Sequence, residues 1–135
     1  MRDNIKKAMA EIRKNKILAR MNHLCCSSCA GYDLTEKIDE MPVKKAKEMK
    51  GIVYWHRQDE DSYKNSGVLY IRYQGIDTAK YPNRDKKTGW TTIMIGHIVA
   101  DAMKKYGVPF KWSGNPDKCI IVADNEDLLK NVSAE

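Results

Sequence analysis

The order of patterns along this sequence predicts an α+β fold, with a mixed or mainly antiparallel sheet of about five strands and helices mostly on one face. Two long segments have apolar residues at helical spacing, one near the start of the chain and one after residue 90. Between and after them lie short runs rich in β-branched and aromatic residues, which are typical of strands. With 135 residues, the chain is expected to form a single domain over 1–135.

The N-terminal part of the chain predicts a helix, a short strand and a second helix. Apolar residues at helical spacing, with charged residues between them, indicate an amphipathic helix from residue 3 to about residue 15. The next residues have no clean helical period, and we expect a loop that leads into a short strand over 20–25. Ser27 or Ser28 is then expected to cap a helix that runs to about Glu40.

The middle of the chain predicts a short helix and two strands. Pro42 suits the first turn of a helix that runs to Lys50. Residues 52–56 and 68–73 have the composition of buried strands. The polar residues 58–62 between them predict a loop or a single helical turn.

The C-terminal part predicts a long helix and a hairpin. Glycine, proline and asparagine residues break any period over 74–89, which indicates a surface loop. The clearest helix in the sequence runs over 91–106. Strands over 108–113 and 118–123 are then joined by a tight turn, and an acidic tail follows from residue 124.

The chain is basic, with a net charge of +6 and a sequence pI of about 9.1. Positive residues concentrate in the N-terminal helix and in residues 80–87. Such patches can attract nucleic acid or an acidic partner, although a solvated lysine-rich surface is the commoner outcome. We expect a protein partner first, with nucleic acid on these two patches as the alternative.

The cysteine content and the absence of long apolar runs predict a cellular compartment. No apolar run approaches the ~18 residues that a membrane helix needs, so we expect no membrane partner. The N-terminus shows no apolar signal core. The four cysteines are therefore expected to be reduced thiols, metal ligands or a redox pair, which predicts a cytoplasmic protein.

Three of the four cysteines and one histidine fall within the seven residues from His23 to Cys29. Cys26 and Cys29 form a C-x-x-C pair, a spacing that can place two thiolates on one metal ion or form a reversible disulfide. Zinc is the possible cofactor, with Cys26, Cys29 and His56 as candidate ligands, but the signal is weak because a structural zinc site needs four ligands. Cys25 is expected to be a small core residue. Structural, metal-binding and reactive roles stay open.

His56 comes at the end of a predicted strand and precedes Gln58 and Asp59. A histidine in that place can act as a general base, and a nearby cysteine would form a thiolate–imidazolium pair with it. The candidate catalytic residues are therefore Cys26, Cys29, His56 and Asp59. The alternative is a hydrogen-bonded histidine with a structural role.

Two other residues are expected to be structural. Trp112 lies in a predicted strand and should close the hydrophobic layer. His97 lies opposite the apolar stripe of its helix and one turn before Asp101, so an exposed His–Asp pair is expected.

Four short motifs together resemble an uncharacterised bacterial domain-of-unknown-function family, over roughly residues 5–123. They are Ile17-Leu18-Ala19-Arg20, Cys25-Cys26-x-x-Cys29, Tyr54-x-His56-x-Gln58-Asp59 and Phe110-x-Trp112-x-Gly114-x-Pro116. Ala30 stands where a family glycine is expected, and the segment 74–89 is longer than expected. The resemblance implies no activity. It does imply that the cysteine motif and the His56–Asp59 motif meet in space.

Three functional hypotheses follow from these residues. The first is a small binding or regulatory protein, such as an inhibitor or accessory protein of a mobile element, in which the cysteine and histidine residues are structural. The second is a Cys/His-dependent enzyme, either a thiol oxidoreductase or a hydrolase. The third is a zinc-stabilised nucleic-acid-binding domain.

Overall fold

A computed structural model describes residues 2–25, 27–75, 91–130 and 132. These residues form six helices and five strands. In chain order the elements are α1 (Arg2–Lys14), β1 (Ile17–Arg20), α2 (Ser27–Asp39), α3 (Val43–Glu48), β2 (Gly51–Tyr54), α4 (Arg57–Ser66), β3 (Val68–Gly75), α5 (Thr92–Lys105), β4 (Phe110–Lys111), β5 (Ile120–Ala123) and α6 (Glu126–Leu129).

The five strands form one mixed sheet in the order β1-β2-β3-β5-β4. β1 is parallel to β2, with Leu18 opposite Ile52. The other three pairings are antiparallel, and β3 lies at the centre of the sheet between β2 and β5. The predicted α+β class is therefore confirmed, and the sheet is mainly antiparallel.

The larger hydrophobic core lies on the face of the sheet that α1 and α5 cover. It includes Trp55, Leu69 and Ile71, which are 0–1% exposed. The opposite face carries two smaller cores. One joins α2 to β1 and β2, and the other joins α6 to β3 and β5. In the part of the chain that the structure describes, no helix is long and apolar enough to cross a bilayer.

β1 starts earlier than the sequence predicted, at Ile17 and not at Arg20. The prediction over 20–25 was wrong because Ile17, Leu18 and Ala19 are the residues that the two cores bury. A left-handed Lys16, with φ of 62°, turns the chain directly from α1 into this strand.

One backbone carbonyl of the edge strand β1 accepts hydrogen bonds from two arginine side chains. The carbonyl oxygen of Ala19 accepts from Arg13 Nε at 3.0 Å and from Arg20 Nη1 at 3.1 Å. Burial lowers the pKa of Arg13, and the nearby Arg20 charge acts in the same direction.

The polar residues 58–62 belong to a ten-residue helix, α4, and not to a loop or a single turn. His56 caps the start of this helix, and Gly67 in the left-handed conformation ends it. The single-turn prediction missed that the apolar contacts of α4 come from Tyr63 in its second turn.

The C-terminal hairpin is shorter than predicted, with two residues in β4 and four in β5. The predicted loop 74–89 begins differently, because Gln74 and Gly75 still belong to β3. Its remainder lies outside the described residues, as do the basic residues 80–87. The acidic tail forms the one-turn helix α6.

Candidate functional site

His56 and Asp59 form a reciprocal cap at the start of α4. The His56 ring accepts the Asp59 backbone N–H at Nδ1, at 3.3 Å, and Asp59 Oδ2 accepts the His56 backbone N–H at 3.4 Å. Both residues are buried, with 3% and 6% exposure. The motif therefore satisfies two backbone donors that the helix start would otherwise leave unpaired.

The His56 ring is neutral in this arrangement. Since Nδ1 accepts a hydrogen bond, the ring proton lies on Nε2, which is 3.2 Å from Asp59 Oδ2. Burial lowers the pKa of His56; the Asp59 carboxylate opposes this and the Arg72 charge adds to it. The 3.2 Å approach of His56 Nε2 to Asp59 Oδ2 is thus a contact of a neutral imidazole and not an ion pair.

Asp59 also receives both arms of a guanidinium from the central strand. Arg72 donates from Nε to Oδ2 at 3.1 Å and from Nη2 to Oδ1 at 3.3 Å. This is the two-point geometry in which arginine binds carboxylates most strongly. The cap of α4 therefore orients Asp59, and Asp59 fixes the Arg72 side chain, which is 31% exposed.

The next residue, Glu60, anchors the same helix turn on its other side. It accepts the indole N–H of Trp55 at 2.8 Å and pairs with Arg2 Nη1 at 2.7 Å. Glu60 is 5% exposed, and each of its two oxygens has a protein partner, as a buried carboxylate requires. Consecutive buried carboxylates thus tie α4 to α1 and to the sheet.

An open pocket of about 190 Å³ lies beyond Arg72. Strands β2 and β3 and the segment before β5 line it. The lining residues are Tyr54, Arg72, Tyr73, Pro116, Asp117, Lys118 and Cys119. The pocket therefore combines two cationic side chains, a carboxylate at the β4–β5 turn, two phenols and a thiol.

Tyr73 holds the turn that forms one wall of this pocket. Its hydroxyl donates to the Lys118 carbonyl at 2.7 Å or the Asn115 carbonyl at 3.0 Å, and it accepts the Trp112 indole N–H at 2.7 Å. The Trp112 ring lies against Gly96 of α5, where a Cβ would come within 2.6 Å of it. Trp112 thus braces the turn as well as closing the hydrophobic layer.

The thiol in the pocket, Cys119, is not activated. Burial raises its pKa, the Arg72 charge opposes this, and the Asp59 charge adds to it. A thiol with a raised pKa stays protonated at neutral pH and is a poor nucleophile. Cys119 therefore contributes a neutral surface.

The backbone of the cysteine segment lies beside His56. The His23 N–H donates to the Trp55 carbonyl at 2.8 Å, and the Arg57 N–H donates to the Leu24 carbonyl at 2.8 Å. These bonds continue the parallel direction of β1 and β2. The residues just before the cysteine motif therefore lie beside the backbone that flanks His56.

The side chains of the cysteine segment are arranged differently from those of the buried cap. Cys25 is exposed and is therefore not the small core residue that was expected. Cys29, in the first turn of α2, is exposed as well, and Cys26 and the side chains of Ser27 and Ser28 lie outside the described residues. Among the described residues, no three His, Cys, Asp or Glu side chains form a group that could hold a metal ion. A zinc ion at His56 would have to displace contacts that both ring nitrogens make with Asp59.

His23 has a partner on α2. Its Nε2 lies 2.7 Å from Asp33 Oδ2, and the hydrogen bond to His23 lowers the pKa of Asp33. This contact ties the cysteine segment to the helix that follows it.

A family model described as Domain of unknown function (DUF6891) matches residues 1–126. The chain belongs to this family. The match confirms the resemblance to an uncharacterised family, and it spans every element from α1 to β5. No curated protein and no solved structure matches the chain.

Sequence reasoning missed the residues that line the pocket in this DUF6891 chain, among them Arg72, Lys118 and Cys119. One signal for Arg72 was available, because it is the only charged residue in the strand segment 68–73. A cation on a central strand requires a buried partner or an open cavity, and Arg72 has both.

Gln58 and His97, which the sequence analysis also singled out, both lie outside the pocket lining. Gln58 is exposed on the first turn of α4 and does not line the pocket. His97 is exposed, and its ring packs edge-on against Trp112, with ring centroids 5.1 Å apart, where a pair with Asp101 was expected.

Proposed function

We propose that this chain is a small cytoplasmic binding or regulatory protein and that the Arg72 pocket is its binding site for a protein partner. The observation that carries this proposal is the chain of contacts from His56 through Asp59 to Arg72. In it, two buried polar side chains, His56 and Asp59, hold the side chain of Arg72 in place beside an open pocket. Fixing a donor before a partner arrives reduces the entropy that binding costs.

Burial of the cap residues favours binding over catalysis. His56 and Asp59, two of the predicted catalytic residues, are 3% and 6% exposed and satisfy each other. A general base needs access to the proton that it removes. The pocket thiol is held protonated, and Arg72 and Lys118 are the cationic side chains of the pocket that can contact a partner.

The size of the pocket favours a group on a protein over a whole cofactor. Sites for drug-sized ligands and cofactors measure roughly 300–1,000 Å³. The pocket of about 190 Å³ is smaller and has room for one side chain or one chain end. The net charge of +6 adds a general attraction for acidic surfaces.

Site-specific photo-crosslinking tests the proposal. A photoreactive phenylalanine analogue replaces Asp117 at the pocket or, as the control, the exposed Lys104 on α5. In the cells that produce the protein, we expect a discrete crosslinked protein from position 117 that is absent from position 104. The same products from both positions, or none from position 117, would contradict a binding site at this pocket.

A further inference from the structure

We propose that the group bound in the Arg72 pocket is a carboxylate, held by the guanidinium of Arg72 and the ammonium of Lys118. This inference rests on the proposed use of the pocket for binding and adds the chemistry of the bound group. Both cationic side chains line the same cavity of about 190 Å³.

The guanidinium of Arg72 keeps donors for a ligand. An arginine side chain has five N–H groups, and two of them point to Asp59 in the described structure. The two-point contact fixes the plane of the guanidinium, so its remaining donors keep one orientation. A planar carboxylate is the natural partner for such a fixed, planar set of donors.

The charges around the pocket select a single negative charge. Asp59 pairs with Arg72, and Asp117 lines the same pocket as Lys118, so the positive and negative charges are equal in number. The lining is therefore close to neutral overall. A phosphate dianion would bring two negative charges into a pocket with no net positive charge. A carboxylate brings only one negative charge, and its two oxygens can accept from the directed N–H groups.

The remaining lining adds no charge that would repel an anion. Cys119 stays protonated because burial raises its pKa. Tyr54 presents a phenol whose oxygen packs close to α2: a Cβ added at Gly31 would lie 3.1 Å from it.

Cys119 also provides a direct readout of anion recruitment. Iodoacetate and iodoacetamide alkylate the same thiol, but only iodoacetate carries a carboxylate. Trypsin releases Cys119 in the peptide 119–130, and it releases the other three cysteines together in the peptide 21–37. The ratio of the iodoacetate rate to the iodoacetamide rate at Cys119 can therefore be compared, in one digest, with the ratio in the reference peptide.

We expect the ratio at Cys119 to exceed the reference ratio by about tenfold, because Arg72 and Lys118 hold the carboxylate of iodoacetate beside the thiol. Lys118→Gln should reduce the excess severalfold without affecting folding, since Lys118 is exposed; in this variant trypsin releases Cys119 in the peptide 112–130. Arg72→Gln should remove the excess. Lys104→Gln, a matched loss of charge on α5, should leave it unchanged. Equal ratios in the two peptides, or an excess that Lys118→Gln and Arg72→Gln both leave intact, would overturn the proposal.

Protection of Cys119 from iodoacetamide identifies the source of the carboxylate. Acetate stands for a free carboxylate, N-acetyl-glycylglycine for a chain end and N-acetyl-glutamic acid amide for an acidic side chain. Protection by any of these supports the proposal, and the strongest names the source. Equal protection by inorganic phosphate contradicts it. Carboxylate protection without a crosslink at position 117 would instead reject the protein partner and keep the carboxylate site.

Discussion

The guanidinium of Arg72 on the central strand meets both carboxylate oxygens of Asp59, at 3.1 and 3.3 Å, across 13 positions of sequence. The contact connects a helix cap to a strand and so couples α4 to the middle of the sheet. It also determines which edge of the guanidinium faces the pocket. The following predictions test this relationship and the elements that support it.

Asp59→Asn should keep the cap of α4 and lose the ion pair with Arg72. Breaking a buried pair costs about 3–5 kcal/mol, and the partial exposure of Arg72 reduces the expected loss of unfolding free energy to about 2 kcal/mol. Urea unfolding measures it. Asp127→Asn is the matched control, because Asp127 pairs with Lys130 at the surface, and it should leave the midpoint unchanged. Equal effects of the two substitutions would show that the buried pair contributes nothing special.

The stability of the protein should fall as the pH falls below about 6.5, the ordinary pKa of histidine. The pKa of His56 is lowered in the folded state by burial. Below pH 6.5 His56 therefore binds a proton more readily in the unfolded chain than in the folded chain, and unfolding becomes more favourable. His56→Asn preserves a capping side chain without titrating. Urea midpoints at pH 7.5, 6.5 and 5.5 should decrease less in this variant, and parallel curves would refute the assignment of a neutral His56.

Tyr73→Phe should loosen the wall of the pocket. It removes the acceptor of the Trp112 indole and the donor to the Lys118 carbonyl, for a loss of about 1–2 kcal/mol. The turn should then open more often, and iodoacetamide should modify Cys119 several times faster. Tyr70→Phe, on the same strand, is the control and should change neither quantity. A Tyr73→Phe protein with an unchanged alkylation rate would separate this hydroxyl from the pocket.

Gly96→Ala should displace the Trp112 ring. A Cβ at this position would lie 2.6 and 2.7 Å from two ring carbons and 3.0 Å from the Tyr73 ring. Such overpacking typically costs about 1–3 kcal/mol. In a Trp112→Leu background the same substitution should cost less, because the clashing ring is gone. Thermal unfolding of the four proteins measures this coupling, and additive losses would mean that the ring is not what Gly96 accommodates.

The helices with a clear apolar period were predictable from local sequence. Ile5, Ala8, Met9 and Ile12 identify α1 because one stripe of one helix carries the signal, and all four are buried. β1 was misplaced because Leu18 faces the α2 core while Ile17 and Ala19 face the larger one. A strand buried on both faces has no alternation to read.

The candidate site was predictable only in part, because some of its residues are brought together only by the tertiary fold. His56 and Asp59 were identified because they are close in sequence and chemically distinctive. Their helix-capping role depends on the conformation of α4, and their partner Arg72 is reached only through the tertiary fold. Cys119 was missed, since nothing in its local sequence places it beside Arg72.

The arginines on the Ala19 carbonyl bear on how copies of this chain meet in a concentrated solution. A strand that added itself to the outside of β1 would have to displace the guanidinium groups of Arg13 and Arg20 from this oxygen. It would also have to accept their charge beside its own backbone. At the other edge of the sheet, β4 offers a ladder of two residues. Both edges therefore oppose strand-to-strand aggregation, one by charge and one by length.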